Sequence, residues 1–173
     1  MLFDRSGPGW DYEELVVLND RALGLRAIVA IDSTKKGPAF GGVRRRAYAS
    51  EAAALTDALA LASSMSFKCA LAGLPAGGAK TVILHREGLE LHRVYRSVGK
   101  AIERLGGRYV CGPDIGTSET ELGWIREQTS HVNPVENDAG RSTAAGVLAA
   151  LRAVWAHLDI EPRGSSIAVP TLR

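Results

Sequence analysis

The sequence predicts an α/β fold with a mixed, mainly parallel sheet, an antiparallel edge and helices on both faces, giving three layers. Two observations support this. An apolar hairpin pattern occupies residues 13–32, and strands then alternate with amphipathic helices. With 173 residues, 46% of them hydrophobic and 23% charged, the chain can form one well-buried domain and a short part of a second.

The first elements are strands. The runs EELVVLND (13–20) and GLRAIVAID (24–32) are rich in β-branched residues, and RALG between them is typical of a hairpin turn. Three glycines and a proline between positions 37 and 42 then predict a tight loop. The hairpin is the antiparallel edge of the predicted sheet.

A helix is predicted from Ser50 to Met65. Ser50 suits the N-cap position, and Glu51 suits the first turn, where a carboxylate interacts favourably with the helix dipole. Helical spacing places an apolar stripe on one face, formed by Ala52, Leu55, Leu59 and Ala62.

Short buried strands are predicted next at KTVIL (80–84) and RYVC (108–111). The helix between them is expected to stop at the glycine pair 106–107. Its apolar stripe consists of Leu91, Val94, Val98, Ile102 and Leu105.

Ser118 and Glu121 have the spacing of a capping box, which predicts that a third helix begins there. A last helix is predicted over residues 142–158. The segment DIEPRGSS (159–166) is typical of a linker, and SSIAV (165–169) resembles the first strand of a further domain.

Composition excludes several classes of function. A net charge of +2 gives no reason to expect a nucleic-acid partner, and the cluster Arg44-Arg45-Arg46 is expected to be a solvated edge. No signal peptide or membrane-spanning run is present in the 173 residues. Cys69 and Cys111 lack a CxxC partner, so we expect no zinc or other metal site, and the cytoplasm is the predicted location.

Two lysines, Lys68 and Lys80, flank eleven uncharged residues. A phosphate-binding loop would need glycine directly before the lysine and a helix after it, whereas Ala79 precedes Lys80 and a strand follows. The other alternative is a pair of solvated lysines on a surface loop. Against that alternative, both lysines, Asp114 and two glycine pairs lie at or beside the ends of predicted strands, where open α/β sheets form ligand sites.

Two cations and a carboxylate at one site fit a small zwitterion. One ammonium can pair with a ligand carboxylate, and a second, desolvated by its neighbours, would have a lowered pKa and could accept a proton. Asp114 could exchange a proton with an amine. The set is therefore suited to an α-amino acid or a 2-oxo acid.

Four segments resemble the N-terminal half of the Glu/Leu/Phe/Val amino-acid dehydrogenase family, closest to its leucine, valine and phenylalanine members. They occur in family order: GPAFGGVR (37–44), MSFKCALAGLPAGGAKTVI (65–83), GRYVCGPDIGTS (107–118) and TAAGV (143–147). The resemblance covers about residues 10–158. It implies an oxidoreductase that carries out NAD-dependent oxidative deamination of a branched-chain or aromatic L-amino acid to a 2-oxo acid.

The resemblance also implies roles for individual residues. Lys68 matches the lysine that binds the substrate carboxylate, Lys80 the catalytic lysine that activates water, and Asp114 the aspartate that moves a proton to and from the substrate nitrogen. Gly41 and Gly42 match the backbone that lines the pocket.

Two further matches leave alternatives open. Met65 matches a residue of the pocket wall but equally suits a core methionine at a helix end. Thr143 matches a threonine near the nicotinamide but equally suits a helix N-terminus.

The resemblance predicts the domain organisation. Residues 1–141 are expected to be the substrate-binding and dimerisation domain, 142–160 a connecting helix, and 161–173 the beginning of a dinucleotide-binding domain. Pro170 stands where the family has the entry to its glycine-rich turn, so we expect a truncated chain that is inactive alone. The alternative is a non-catalytic oligomerising or amino-acid-binding module. The expected homo-oligomer interface is the β-edge at residues 12–31.

Overall fold

The computed structural model describes residues 12–135, 139–164 and 166. The chain divides into two compact units, one ending at Val135 and the other beginning at Glu136. Within the described residues, the first unit contains a five-stranded sheet and three helices, and the second contains one helix.

The first unit runs in the order β1 (Glu14–Asp20), β2 (Leu25–Ile31), β3 (Ala39–Arg46), α1 (Glu51–Leu71), β4 (Gly77–Leu84), α2 (Leu91–Arg104), β5 (Tyr109–Gly112) and α3 (Glu119–Arg126). The second unit contains α4 (Ala139–Leu158). This helix begins three residues before the predicted start at position 142. The strand predicted at 165–169 lies, except for Ser166, outside the described residues.

The sheet has the strand order β1-β2-β4-β3-β5. β2 pairs antiparallel with both β1 and β4, whereas β3 pairs parallel with β4 and β5. The register places Ala30 beside Lys80 and Gly41 beside Cys111. The predicted mixed sheet with an antiparallel hairpin at its edge is therefore confirmed.

Helices cover both faces of the sheet, which confirms the three-layer arrangement. On one face, α2 and α3 enclose the larger core, which includes Tyr95, Tyr109 and Ile125. On the other face, α1 packs against β2, β3 and β4 through a smaller core. Its buried side chains are mostly alanines, which let the helix axis approach the sheet closely.

The start of α1 confirms the predicted cap, because the Ser50 hydroxyl accepts a hydrogen bond of 3.1 Å from the Ala53 amide. Two details of the helix prediction are wrong. Ala52 is exposed, whereas Leu59 and Ala62 are buried as predicted and the buried stripe also includes Ala54 and Ala58. The helix also continues to Leu71, so Lys68 lies in its last turn and not in a loop.

The loop predicted between residues 37 and 42 is wrong for Gly41 and Gly42, which lie inside β3. Glycine lowers the apparent strand propensity of this segment, but the packing requires it. A Cβ at Gly41 would lie 1.6 Å from the Ala79 carbonyl oxygen of the neighbouring strand. β4 likewise begins at Gly77, before the predicted start at Lys80.

The predicted end of α2 and the predicted start of α3 are confirmed. Gly106 and Gly107 have φ values of 59° and 84°, the left-handed region that terminates a helix. At α3, Ser118 and Glu121 form both hydrogen bonds of the capping box. Among the described residues, no helix is long and apolar enough to cross a bilayer.

Candidate active site

The candidate site lies on the face of the sheet that α1 covers. Side chains alternate along β4, so Ala79 and Ile83 enter the larger core while Lys80 and Val82 point toward α1. The same alternation in β3 places Val43 in the larger core and Arg44 on the α1 side.

Lys80 and Asp114 form a buried ion pair. The Lys80 residue is 5% exposed, and its Nζ contacts Asp114 Oδ2. Gly42 lies against this pair, since a Cβ at that position would be 2.8 Å from the Asp114 Cβ and 3.3 Å from the Lys80 Nζ. Only glycine leaves room for the two charged groups to meet here.

The turn after β5 fixes the position of Asp114. The Ile115 amide donates a 2.7 Å hydrogen bond to Asp114 Oδ1, and the Thr117 amide donates a 2.9 Å bond to the Asp114 carbonyl. Tyr95 from α2 braces the same turn, because its hydroxyl lies 2.7 Å from Thr117 Oγ1 and donates to the Gly116 carbonyl. The carboxylate therefore has a defined orientation.

Burial and neighbouring charges shift both groups. Burial lowers the pKa of Lys80, the Asp114 carboxylate opposes this, and the positive charges of Arg44 and Lys68 lower it further, so the net shift is downward. Burial acts to raise the pKa of Asp114, but hydrogen bonds from Lys80 and the Ile115 amide outweigh it and the net shift is also downward. Asp114 thus remains ionised, while Lys80 releases its proton more readily than a solvated lysine.

Lys68 is exposed, in the last turn of α1, and none of the contacts described for the pair involves it. Its charge nevertheless contributes to the lowered pKa of Lys80. Met65, three residues earlier on α1, is partly buried. Thr143 lies in α4, within the second unit. The roles of all these residues stay predictions.

Arg44 is a member of the site that the sequence analysis missed. Its guanidinium Nε lies 3.1 Å from Asp114 Oδ2, and its side chain is 14% exposed. The prediction that Arg44, Arg45 and Arg46 form a solvated edge is therefore wrong for Arg44, although Arg46 is exposed. The alternation of side chains along a strand after Gly41-Gly42 would have placed Arg44 on the same face as the site. This signal could not be used, because β3 itself was not predicted.

Open space adjoins Asp114. A shallow cleft of about 290 Å³ is lined by Arg45, Asp114, Gly116, Thr117, Ser118 and Glu121. A larger groove of about 660 Å³ lies between the β1–β2 hairpin and the first turns of α1, and none of its lining residues belongs to the candidate site. The chemistry of Lys80 and Asp114 identifies the candidate site better than cavity size does.

Comparison with known proteins gives a consistent result. Residues 15–131 match the family model described as the Glu/Leu/Phe/Val dehydrogenase, dimerisation domain. Leucine dehydrogenase from Bacillus cereus is 41% identical over 151 residues, which cover 83% of this chain and 41% of that protein. Valine dehydrogenase from Streptomyces coelicolor is 40% identical over 158 residues, which cover 87% of this chain and 43% of that protein.

Solved structures with the same fold include L-tryptophan dehydrogenase from Nostoc punctiforme, with a TM-score of 0.68 and 34% identity over 72% of this chain and 37% of that one. The hetero-hexameric glutamate dehydrogenase from Thermus thermophilus has a TM-score of 0.71 and 27% identity over 89% of this chain and 43% of that one. The chain spans less than half the length of these relatives.

Proposed function

The chain belongs to the Glu/Leu/Phe/Val dehydrogenase family, and on that premise we propose that it provides the substrate-binding part of an amino-acid dehydrogenase. The proposed reaction is NAD-dependent oxidative deamination of a branched-chain or aromatic L-amino acid. The main supporting observation is the buried Lys80–Asp114 pair against the Gly42 backbone, with the second cation Lys68 close enough to influence it.

The overall reaction balances as follows. The amino acid loses a hydride from Cα and becomes an iminium, and water replaces the nitrogen. The products are a 2-oxo acid, ammonium, the reduced dinucleotide and one proton. The proposed hydride acceptor is NAD, and the chain's own residues supply carboxylate binding and proton transfer.

Lys68 is the proposed partner of the substrate carboxylate. It is exposed and lies at the end of α1, so a ligand carboxylate can reach its ammonium without displacing protein contacts. Gly41 and Gly42 would line the pocket with backbone alone, and Met65 would form part of its wall. In this proposed arrangement the Cα of the substrate would lie beside Lys80.

Lys80 is the proposed general base. In its neutral form it would accept a proton from the water that attacks the iminium carbon, and its lowered pKa increases the neutral fraction near neutral pH. Asp114 would move a proton to and from the substrate nitrogen. Its contact with Lys80 keeps the two groups side by side, where both could reach the same carbon–nitrogen bond.

The described residues do not form a dinucleotide cradle. The motif Gly-x-Gly-x-x-Gly is absent from the 173 residues, and the described turns before α1, α2 and α3 lack a comparable glycine-rich strand-to-helix connection. Thr143 stays a proposed neighbour of the nicotinamide, and the divisions 1–141, 142–160 and 161–173 stay proposals.

We propose that the chain forms homo-oligomers through the β-edge at residues 12–31. β1 is the edge strand on that side of the sheet, and Val17 on it is 68% exposed. The matching family model is itself named a dimerisation domain. A cytoplasmic location is proposed because the two cysteines are free and buried.

A binding experiment tests the substrate site directly. Calorimetric titration of the 173-residue chain with 4-methyl-2-oxopentanoate should show binding that Lys68→Ala weakens at least tenfold, the loss of about one charge-assisted contact. Lys100→Ala, an exposed lysine on α2, is the matched control and should leave affinity unchanged. Equal affinity in Lys68→Ala and the control would contradict the assignment.

Turnover is measured separately, as formation of reduced dinucleotide from NAD with L-leucine, L-valine or L-phenylalanine. We expect turnover when a dinucleotide-binding domain is supplied as a second polypeptide, and its loss in Lys80→Met. We expect none from the chain alone, because its described residues offer no cradle for the cofactor. Binding without turnover under both conditions would favour a non-catalytic amino-acid-binding module.

A further inference from the structure

A line of alternating charges runs from α1 across the sheet to the candidate site. The Tyr48 hydroxyl donates a 2.6 Å hydrogen bond to Asp57 Oδ2, and Arg44 Nη1 donates a 3.1 Å bond to the same oxygen. Arg44 then reaches Asp114 with its other two nitrogens, and Asp114 contacts Lys80. The guanidinium therefore connects two carboxylates on different elements.

The geometry at Asp114 shows what Arg44 contributes. Arg44 Nε lies 3.1 Å from Asp114 Oδ2, which is the oxygen that Lys80 also contacts. Arg44 Nη2 lies 3.5 Å from the other oxygen, Oδ1. If Lys80 becomes neutral, the carboxylate still has a cation on its Lys80-facing oxygen and the Ile115 amide on the other.

The four charged groups form a balanced, sparingly exposed set. The side chains of Arg44, Asp57 and Asp114 are 14%, 27% and 16% exposed, and that of Lys80 is 7% exposed. Two positive and two negative charges cancel. Because water screens these groups poorly, removal of one charge should act strongly on the other three.

We propose that Arg44 is a positioning residue for the proposed catalytic pair: it spans Asp57 and Asp114, and it keeps the Asp114 carboxylate in place when Lys80 gives up its proton. Asp57 holds the far side of the guanidinium and takes up part of its charge. Tyr48 in turn fixes Asp57. The role of Arg44 in catalysis rests on the proposed function, but the test of this inference does not require enzymatic turnover.

The other ionisable groups that interact with Lys80 or Asp114, or lie next to such a group, do not replace this arrangement. Lys68 from α1 adds a positive charge, but it is exposed and has no contact with Asp114 among the described contacts. Tyr109 on β5 senses the Asp114 charge, yet burial raises the pKa of its phenol and keeps it neutral. Its β5 neighbour Cys111 is neutral for the same reason, with a pKa of about 12. Arg44 is thus the second cation in contact with the pair.

The test is an NMR titration of the full chain labelled with ¹³C at lysine Cε. The sequence has five lysines, so few signals can overlap, and the Lys80 signal is assigned by its absence in Lys80→Met. The variants are Asp57→Asn, Arg44→Gln and their combination. The matched controls are Glu51→Gln on α1 and Arg26→Gln on β2, which remove the same charges from an exposed pair.

The two single variants should move the measured Lys80 pKa in opposite directions. Arg44→Gln should raise it by about one unit, because a neutral Lys80 would then leave Asp114 without a cation. Asp57→Asn should lower it by roughly half a unit, because the full charge of Arg44 then acts on the pair. The double variant should stay close to Arg44→Gln, because Asp57 acts on the pair through the Arg44 charge, and the controls should not move the Lys80 pKa.

Shifts of the same sign in both single variants, or shifts no larger than those of the controls, would overturn the inference. If Arg44→Gln does not fold, the Lys80 pKa in Asp57→Asn alone tests the inference. Asparagine has the same shape as aspartate, so this variant should fold, and a lowered Lys80 pKa would still show that Arg44 acts on the pair. The outcome is independent of the proposed function. Absence of 2-oxo acid binding would contradict the proposed function, but the Lys80 pKa could still shift in opposite directions in the two single variants. Shifts of the Lys80 pKa in the same direction would contradict only the role of Arg44.

Discussion

At the scale of single residues, the site depends on the Asp114 carboxylate. It contacts two cations and accepts a hydrogen bond from a backbone amide. Asp114 pairs with Lys80 and Arg44 while the Ile115 amide fixes its second oxygen. Because its pKa is lowered, the Asp114 carboxyl is still ionised in the folded protein at a pH where the same carboxyl in the unfolded chain is already protonated. Its contribution to stability is therefore present at neutral pH and is lost in acid.

Asp114→Asn tests this linkage. The variant should lose about 3 kcal/mol of unfolding free energy at neutral pH, because Lys80 stays buried without its carboxylate. The sign of the pH effect follows from the lowered pKa: the wild-type advantage is complete above the ordinary pKa of aspartate, about 3.9, and declines as pH falls through the folded value.

Urea denaturation at a series of pH values measures the difference between wild type and Asp114→Asn. Glu87→Gln, which removes an exposed carboxylate between β4 and α2, is the control and should follow the wild type. A difference that stays constant from neutral to strongly acidic pH would show that Asp114 is not stabilised in its ionised form.

Gly42 is the second residue on which the site depends. In Gly42→Ala the new methyl group would lie 2.6 Å from the Pro113 carbonyl oxygen and 2.8 Å from the Asp114 Cβ, so the turn carrying Asp114 must move. We expect a loss of about 1–3 kcal/mol in unfolding free energy and a matching loss of 2-oxo acid affinity.

Gly123→Ala is a matched control for Gly42→Ala, because no atom beyond the local backbone of α3 lies within 4 Å of its Cβ position. Alanine should stabilise this helix by roughly 0.5–1 kcal/mol. Urea denaturation and calorimetric titration of both variants give the comparison. Equal behaviour of the two variants would mean that the close approach at Gly42 has no part in the site.

At the scale of elements, periodicity predicted the hairpin β1–β2, helices α2 and α3 and the caps of α1 and α3. Those features depend on local hydrogen bonds and on one-sided burial, which a sequence displays directly. β3 could not be predicted in this way. Its two central glycines are determined by the neighbouring strand and by the Asp114 turn, which are distant in sequence.

The residues of the candidate site likewise divide into those that local sequence predicts and those that depend on distant contacts. Lys80 and Asp114 were predicted from residue type and from their positions beside strands, and the structure places them in contact. Arg44 and Asp57 were missed because their pairing requires β3 and α1 to lie side by side. A contact between residues 13 positions apart on a strand and a helix has no periodic signature.

The packing of α1 on the sheet leads to a prediction at this scale. Ala58 is fully buried between α1 and the sheet, whereas Ala60 on the same helix is exposed. Ala58→Leu should cost about 1–3 kcal/mol, because the larger side chain pushes the helix away from β2 and β4. Ala60→Leu should leave the unfolding free energy within about 0.5 kcal/mol of wild type.

Urea denaturation monitored by circular dichroism measures both leucine variants of α1. If the helix is displaced as expected, Ala58→Leu also weakens 2-oxo acid binding, since Lys68 moves with α1. An Ala58→Leu variant as stable as Ala60→Leu would show that the helix is not closely packed at this position.

At the scale of the whole molecule, the antiparallel hairpin lies at one end of an otherwise parallel sheet, and no other described strand pairs with the outer edge of β1. Exposed strand edges pair readily with other chains, and an exposed valine on such a strand favours association over solvation. Val17 is 68% exposed, so a lysine at this position should not disturb the unit itself. It should disturb only an interface that β1 forms with another copy.

Val17→Lys is therefore expected to shift the chain toward monomer, as measured by light scattering across a concentration series. The added ammonium must lose its hydration to enter an interface between copies, and two copies of a symmetric interface bring two such charges together. Ala60→Lys, on the outer side of α1, is the matched control and should retain the wild-type mass. Identical masses for Val17→Lys and Ala60→Lys at every concentration would exclude the β1 edge as the assembly surface. Unchanged urea denaturation of both variants would show that the lysine acts on association and not on the fold.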